Sequence, residues 1–287
     1  MPLPLGEAGA QRRVRALDRY AVLGQPVAHS RSPQIHQWFA ESTGVALSYE
    51  RIEVAPEEFA ATLARLLVEG YRGLNVTLPH KLAALDAATE KTPRSALAGA
   101  ANTLVAIAGG WRADNTDGEG LVRDLRGNHG LAIAGKKVLL LGAGGAARGV
   151  LKPLLDEKPA ELVISSRTPW RVEQLAIEFK PHGPVRAATH LSLKGDRFDL
   201  VINATSAGHQ GQVPRLADGL LATDAACYDL SYGTAFEPFR SWAIKSGASR
   251  IADGLGMLVE QAASSFEAWR GVRPATRPVI ARLRDAS

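Results

Sequence analysis

The sequence predicts an α/β fold in two parts, the second of them a doubly wound parallel sheet. Three observations carry that reading. Strand-length apolar runs alternate with helix-length amphipathic segments along the chain. The run Val138–Leu141 ends in Gly142-Ala143-Gly144-Gly145-Ala146-Ala147 and leads into a helix-like stretch. Predicted strands at Lys137–Leu141, Glu161–Ser165, Asp199–Asn203 and Ala226–Leu230 then alternate cleanly with helices.

Taken in order, Tyr20–Gly24 reads as a first strand, after an arginine-bearing extension over residues 1–19. Ser32-Pro33 opens a helix as a cap followed by proline at the first helical position, and Gly44 closes it. Leu47–Val54 is a strand. Pro56 to Glu69 is a helix with Phe59, Leu63, Leu66 and Leu67 on one face and Gly70 at its end. Arg72–Val76 is the third strand. Asn102–Ile107 and Trp111–Asn115 form a hairpin across Gly109-Gly110. Asp117–Leu125 is a connecting helix, and the polar stretch Asn128–Gly135 reads as a boundary. A last long helix runs from near Gly254 towards Arg270, and another follows Pro274.

The loop at 142–147 has the G-x-G-x-x-A form of a dinucleotide fingerprint. Gly142 permits the tight turn, Gly144 lets the backbone approach a pyrophosphate, and Ala147 lets helix and strand pack closely. The free N–H groups at the helix N-terminus face the anion. The end of Glu161–Ser165 lies roughly 20 residues further on, where a chain that prefers NAD carries Asp or Glu. Here the residues are Ser165-Ser166-Arg167-Thr168, followed by Arg171. With no carboxylate to repel a phosphate and the planar donor fork of Arg167, the chemistry suits the 2′-phosphate of NADP. Thr168 also reads as a helix cap before Pro169, which is compatible with phosphate binding.

Composition narrows the classes. At 287 residues the chain suits two domains, and 46% hydrophobic and 22% charged residues are ordinary for a soluble globular protein. The net charge of +5 is dispersed rather than gathered, which argues against a nucleic-acid surface. No apolar stretch approaches the roughly 18 residues of a membrane span. Arg12, Arg13, Arg15 and Arg19 come without an apolar region, so the N-terminus does not read as a signal peptide. The expectation is therefore a cytoplasmic enzyme, monomer or homodimer, binding neither nucleic acid nor membrane. Accordingly, the Asn-x-Thr triplets at Asn75 and Asn203 are not read as glycosylation sites. The single cysteine, Cys227, sits in an apolar run and reads as a buried strand residue. None of the seven histidines has a metal-ligand spacing, so no metal is expected.

Shorter motifs stand in a fixed order around the glycine loop. Gly24-Gln25-Pro26-Val27-Ala28-His29-Ser30-Arg31-Ser32-Pro33-Gln34-Ile35-His36 follows the first strand, and Asn75-Val76-Thr77-Leu78-Pro79-His80-Lys81 the third. Ala101-Asn102-Thr103 and Asn115-Thr116-Asp117-Gly118 bracket the hairpin. Asn203-Ala204-Thr205-Ser206, Asp229-Leu230-Ser231-Tyr232 and Asp253-Gly254-Leu255-Gly256-Met257-Leu258-Val259-Glu260-Gln261 follow. The ordered set, from about Tyr20 to Arg270, closely resembles the shikimate dehydrogenase family.

The resemblance implies an NADP-dependent oxidoreductase that interconverts 3-dehydroshikimate and shikimate. It also implies a discontinuous substrate domain, with residues 1–116 and the C-terminal helices at 253–287 flanking a Rossmann-like cofactor domain at 117–252. Lys81 and Asp117 match the catalytic pair. Reducing a ketone leaves an alkoxide that must be protonated, and a positioned lysine donates that proton. Ser30 and Ser32 match the positions that bind the substrate carboxylate, and Thr77, Asn102, Tyr232 and Gln261 the remaining substrate contacts. For the cofactor the resemblance adds Asn203, Thr205, Leu230, Gly254 and Met257. Each residue also has a plain structural reading: turn serines, a helix-opening lysine, an aspartate cap, a core methionine. Two positions depart from the pattern: Gln37, where many relatives have Asn, and Ser166, where NADP-binding members have Asn. The alternatives are a broader quinate/shikimate dehydrogenase and a catalytically idle relative that senses NADPH or a metabolite.

Overall fold

The structure is a computed structural model and describes residues 17–286. The extension reading for residues 1–16 lies outside the described residues. Strand β1 begins at Asp18, inside the span that reading had covered.

The first half runs β1 (Asp18–Gly24), α1 (Ser32–Thr43), β2 (Leu47–Glu53), α2 (Phe59–Val68), β3 (Tyr71–Val76), α3 (Lys81–Asp86), β4 (Glu90–Lys91), α4 (Pro93–Ala98), β5 (Thr103–Ile107) and β6 (Gly110–Asp114). The strands form one six-stranded sheet in the order β2-β1-β3-β5-β6-β4. β1 pairs parallel with β2 and β3, and the β5–β6 hairpin joins antiparallel to β3. α2 forms because Phe59, Leu63 and Leu66 recur at helical spacing and are all buried. The preceding Pro56–Glu58 is a 3₁₀ turn rather than a first turn of α-helix.

The second half runs α5 (Asp117–Arg123), β7 (Lys137–Leu141), α6 (Gly145–Asp156), β8 (Glu161–Ser166), α7 (Pro169–Phe179), β9 (Val185–Thr189), β10 (Phe198–Asn203), β11 (Leu221–Asp229), α8 (Glu237–Lys245), β12 (Arg250–Ala252), α9 (Leu255–Arg270) and α10 (Arg277–Asp285). Its sheet is wholly parallel, in the order β12-β11-β10-β7-β8-β9. From the other edge this is the 3-2-1-4-5-6 order of a doubly wound dinucleotide sheet, with its switch point between β7 and β10. Val138, Leu139, Leu140 and Leu141 are all fully buried, as a strand covered on both faces requires.

α9 returns to the first sheet. Its Leu255, Val259, Ala262 and Phe266 share a core with Tyr20, Ile35 and Phe39. Burying a phenylalanine such as Phe266 contributes about 1.5–3 kcal/mol. Trp269 donates from its indole to the Leu104 carbonyl at 2.9 Å. It fits because β3 has Gly73 there: a Cβ at that position would lie 2.2 Å from the Trp269 nitrogen.

Two caps differ from expectation. α1 starts at Ser32 itself, with Arg31 as its cap, so the Ser32 hydroxyl is free to pair with Ser30. Thr168 caps α7 without a side-chain bond; instead its N–H donates to Ser166 Oγ at 3.1 Å. The connecting helix also differs, ending at Arg123 and widening into a π-helical turn over Asp124–Asn128.

Candidate active site

Lys81 opens α3 directly after the loop that leaves β3. The neighbouring His80 is buried, stacks on Phe59 at 4.5 Å and bonds the Val54 carbonyl at 2.7 Å. The Lys81 carbonyl accepts from the Ala101 N–H at 2.8 Å, which ties the lysine to the segment that leads through Asn102 into β5. Asp117 opens α5 from the other side. The Lys81 ammonium donates to Asp117 Oδ2 as a close ion pair, with side chains only 19% and 8% exposed. Asp117 Oδ1 accepts from Asn102 Nδ2 at 2.8 Å. Two further acceptors compete for the same amide, Thr116 Oγ1 at 2.9 Å and Gln261 Oε1 at 3.0 Å. Gln261 reaches this point because Gly120 has no side chain: a Cβ there would lie 2.7 Å from that of Gln261. Lys81, Asp117, Asn102 and Gln261 therefore meet, although the last two are 159 residues apart.

Ser30 and Ser32 form a second group. Their hydroxyls are 3.1 Å apart, and Arg51 holds the Ser30 carbonyl with two bonds of 2.9 and 2.7 Å. A relay connects them to the first group. Tyr49, hydrogen-bonded to Ser32, donates to Asn75 Oδ1 at 2.7 Å. Asn75 Nδ2 donates to Ser265 Oγ at 3.0 Å and to the Asn102 carbonyl at 3.2 Å. His36 lies beneath, stacked on Tyr49 at 4.4 Å, with Nε2 3.2 Å from Asn75 Oδ1. That oxygen only accepts, so Nε2 carries the proton. Nδ1 has no partner among the described residues, and burial depresses the imidazole pKa to about 3. Burial likewise raises the phenol pKa of Tyr49 and, against the field of Arg31, that of Tyr232. Tyr232 packs half-buried on the α1–α9 core, and Thr77 is half-buried beside Gly24.

Around the glycine loop, Gly142 adopts φ +119°, a region side chains rarely enter, and a Cβ there would also lie 3.0 Å from the Ala204 carbonyl. Gly144 caps α6, and a Cβ on it would meet nothing within 4 Å, so the loop backbone borders open space. The N–H groups of Gly145, Ala146 and Ala147 lie in the first turn, where helices leave them unpaired. Ala147 is fully buried in the core between sheet and helices. The loop thus fits a diphosphate.

Ser166 Oγ both accepts the Thr168 N–H and donates to its carbonyl at 3.0 Å, closing a small turn that leaves Arg167 exposed. Arg171 is exposed as well, lies over Trp170 at 5.3 Å, and lines with Ala143 a groove of about 520 Å³. Asn203 ends β10, where its Oδ1 accepts from Thr205 Oγ1 at 2.7 Å and its amide donates to Asp229 at 2.9 Å. Burial raises the Asp229 pKa to about 6. Gly254 passes so close to Leu230 that a Cβ would lie 2.1 Å from the Leu230 carbonyl. Met257 sits in the core with Leu121, Leu125 and Tyr228.

The two halves touch here. A Cβ on Gly145, at the start of α6, would lie 4.0 Å from that of Ala100, and Ala101 is the residue bonded to Lys81. Arg148 donates to the Ala98 carbonyl at 2.9 Å. Sequence reasoning assigned no role to Tyr49, His36, Asn75, His80, Thr116 or Ser265. The motifs contained His36, Asn75, His80 and Thr116, but Tyr49 and Ser265 had no local signal.

Comparison with known proteins gives this geometry a family. The model of the shikimate dehydrogenase substrate binding domain matches residues 22–104. That of shikimate / quinate 5-dehydrogenase matches 126–213, and that of the shikimate 5′-dehydrogenase C-terminal domain matches 254–284. A relative from Alkalilimnicola ehrlichii named shikimate dehydrogenase (NADP(+)) is 53% identical, covering 93% of this chain and 98% of its own. One of the same name from Thioalkalivibrio sulfidiphilus is 52% identical, over 93% and 98%. Among solved structures, an Ael1 enzyme from Pseudomonas putida is 44% identical with a TM-score of 0.88, covering 93% of this chain and 98% of that one. Shikimate 5-dehydrogenase from Thermus thermophilus, in complex with NADP(H) and shikimate, is 33% identical with a TM-score of 0.82, covering 94% and 100%. Sharing about half its residues with such relatives along nearly its whole length, the chain belongs to the shikimate dehydrogenase family.

Proposed function

We propose that this protein reversibly reduces 3-dehydroshikimate to shikimate with NADPH, and that Lys81 and Asp117 carry the proton side of the reaction. The observation behind the second part is the enclosed Lys81–Asp117 ion pair, with Asn102 on the free carboxylate oxygen and the glycine-loop helix against the neighbouring Ala100. In the reduction direction the Lys81 ammonium donates a proton to the carbonyl oxygen as it gains negative charge, and in oxidation the lysine takes the hydroxyl proton back. Asp117 orients the ammonium, balances its charge and accepts from a substrate hydroxyl. Asn102 holds Asp117, Gln261 accepts from Asn102, and both offer further polar groups to the ring hydroxyls. Ser30 and Ser32 hold the carboxylate by hydroxyl donation, without a buried ion pair. Thr77 and Tyr232 complete the substrate contacts.

NADPH, when bound, supplies the hydride. Residues 142–147 would hold its diphosphate, and Ser166, Arg167, Thr168 and Arg171 its 2′-phosphate. Asn203, Thr205, Leu230, Gly254 and Met257 would line the nicotinamide end, of which Met257 contributes mainly by packing. The division at 1–116, 117–252 and 253–287 rests on the two separate sheets and on the core that α9 shares with α1. Following absorbance at the reduced-nicotinamide band with shikimate or quinate, each paired with NADP⁺ or NAD⁺, tests the reading. Turnover is expected with shikimate and NADP⁺. Turnover with quinate and none with shikimate would overturn it.

A further inference from the structure

The segment that carries Asp117 is gripped at both ends by one arginine. Arg94 is the second residue of α4, whose start is fixed by Pro93 and by the Thr92 hydroxyl accepting the Ser95 N–H. Its guanidinium meets Asp114 twice, Nε to Oδ1 and Nη2 to Oδ2, each at 2.5 Å. Its Nη1 donates to Glu119 Oε2 at 2.7 Å. Asp114 precedes Asp117 by three residues and Glu119 follows it by two, so a single planar fork spans the segment. Asp114 is 6% exposed and also accepts from Thr92 Oγ1 and the Asn115 N–H, each at 2.8 Å. Burial would raise the pKa of Asp114, but the bonds and charge of Arg94 outweigh it and leave the carboxyl below its usual range.

Arg94 also lines a solvent-open cleft of about 1300 Å³, on whose walls neither Lys81 nor Asp117 stands. Five other cations there are paired, Arg123 with Glu119, Arg126 with Glu157, Arg148 with Glu178, Lys152 with Asp156 and Arg273 with Glu260, while Arg277 donates to the Gly127 carbonyl at 3.0 Å. The cleft gives small solutes a route to Arg94.

We propose that Arg94 is a positioning residue for the reaction, holding residues 114–119 so that the Asp117 carboxylate stays aimed at Lys81 and Asn102. The inference rests on the roles proposed above for Lys81 and Asp117. Arg94→Ala is expected to lower kcat about 30-fold while KM for shikimate stays within about threefold, the signature of lost alignment rather than lost binding. Amide exchange across residues 114–123 should quicken. Methylguanidinium at low millimolar concentration, entering by the cleft, should restore about fivefold of the lost rate. Arg94→Lys, with a point charge in place of the fork, should fall between. Arg126→Ala, on the same cleft wall, should stay within about twofold of the parent.

A kcat within twofold of the parent in Arg94→Ala, or unchanged exchange over 114–123, would overturn the proposal. So would a lowered melting temperature with kcat intact. If the parent protein turns over no shikimate, the functional reading fails, while the exchange measurement still decides whether Arg94 fixes the segment.

Discussion

Replacing His36 with phenylalanine isolates one titrating group beneath the proposed substrate site. At neutral pH the change should be nearly silent. It removes the bond to Asn75 Oδ1, but that oxygen still accepts from Tyr49 at 2.7 Å. It also removes a buried nitrogen that has no partner among the described residues and whose desolvation costs about 1–3 kcal/mol. The stacked neighbours Tyr49, Phe266 and Trp269 accept an aromatic ring. We expect less than about 1.5 kcal/mol of difference at pH 7.

Acid separates the two proteins. The folded His36 titrates at about 3 rather than 6.5, so its contribution is complete above pH 6.5 and is lost as pH falls towards 3. Each pH unit in that window is worth about 1.36 kcal/mol. Between pH 7 and 4.5 the parent should lose about 2.5 kcal/mol relative to His36→Phe. Carboxylates titrate in both proteins and cancel in the difference. Urea unfolding at a series of pH values reads it directly. A difference that stays flat with pH would mean that His36 is not buried neutral.

The remaining predictions concern the cofactor half. Gly254→Ala forces a Cβ against the Leu230 backbone and should destabilise the fold by about 3 kcal/mol, read as a lower urea midpoint; an unchanged midpoint refutes the contact. Asp229 has its folded pKa raised to about 6, so its contribution is full below pH 4 and lost as pH rises through 6. Relative to Asp229→Asn the parent should therefore lose about 2.4 kcal/mol between pH 4 and 7, measured by the same titrated unfolding. Arg167→Ala should weaken NADPH about tenfold or more and leave NADH within about twofold, by fluorescence titration; equal losses would show that it does not read the 2′-phosphate.

The parts of the fold that were legible in sequence are those with a strong local signal. The run Val138–Leu141 followed by the glycine loop could be only a buried strand turning tightly into a helix, and α2 announced its buried face by spacing alone. Short elements were not legible. α3 and α4 have six residues each and β4 two, too few to display a period. The α1 start shifted by one residue, with Ser32 paired to Ser30; α7 begins after Thr168 as expected, but Ser166 rather than Thr168 supplies the side-chain bond at its entry. In the site, Lys81 and Asp117 lay inside motifs. Tyr49 on β2 and Ser265 on α9 did not, and the Asn75–Ser265 bond spans 190 residues. Such a relay follows from tertiary packing, which no local pattern encodes.

The proton-handling role of Lys81 is tested most directly by steady-state oxidation of shikimate with NADP⁺ in Lys81→Ala beside the parent. The expected kcat is lower by about 100-fold or more with a smaller change in KM, the scale of a positioned acid–base group. A kcat equal to the parent's would contradict it and remove Lys81 from the mechanism.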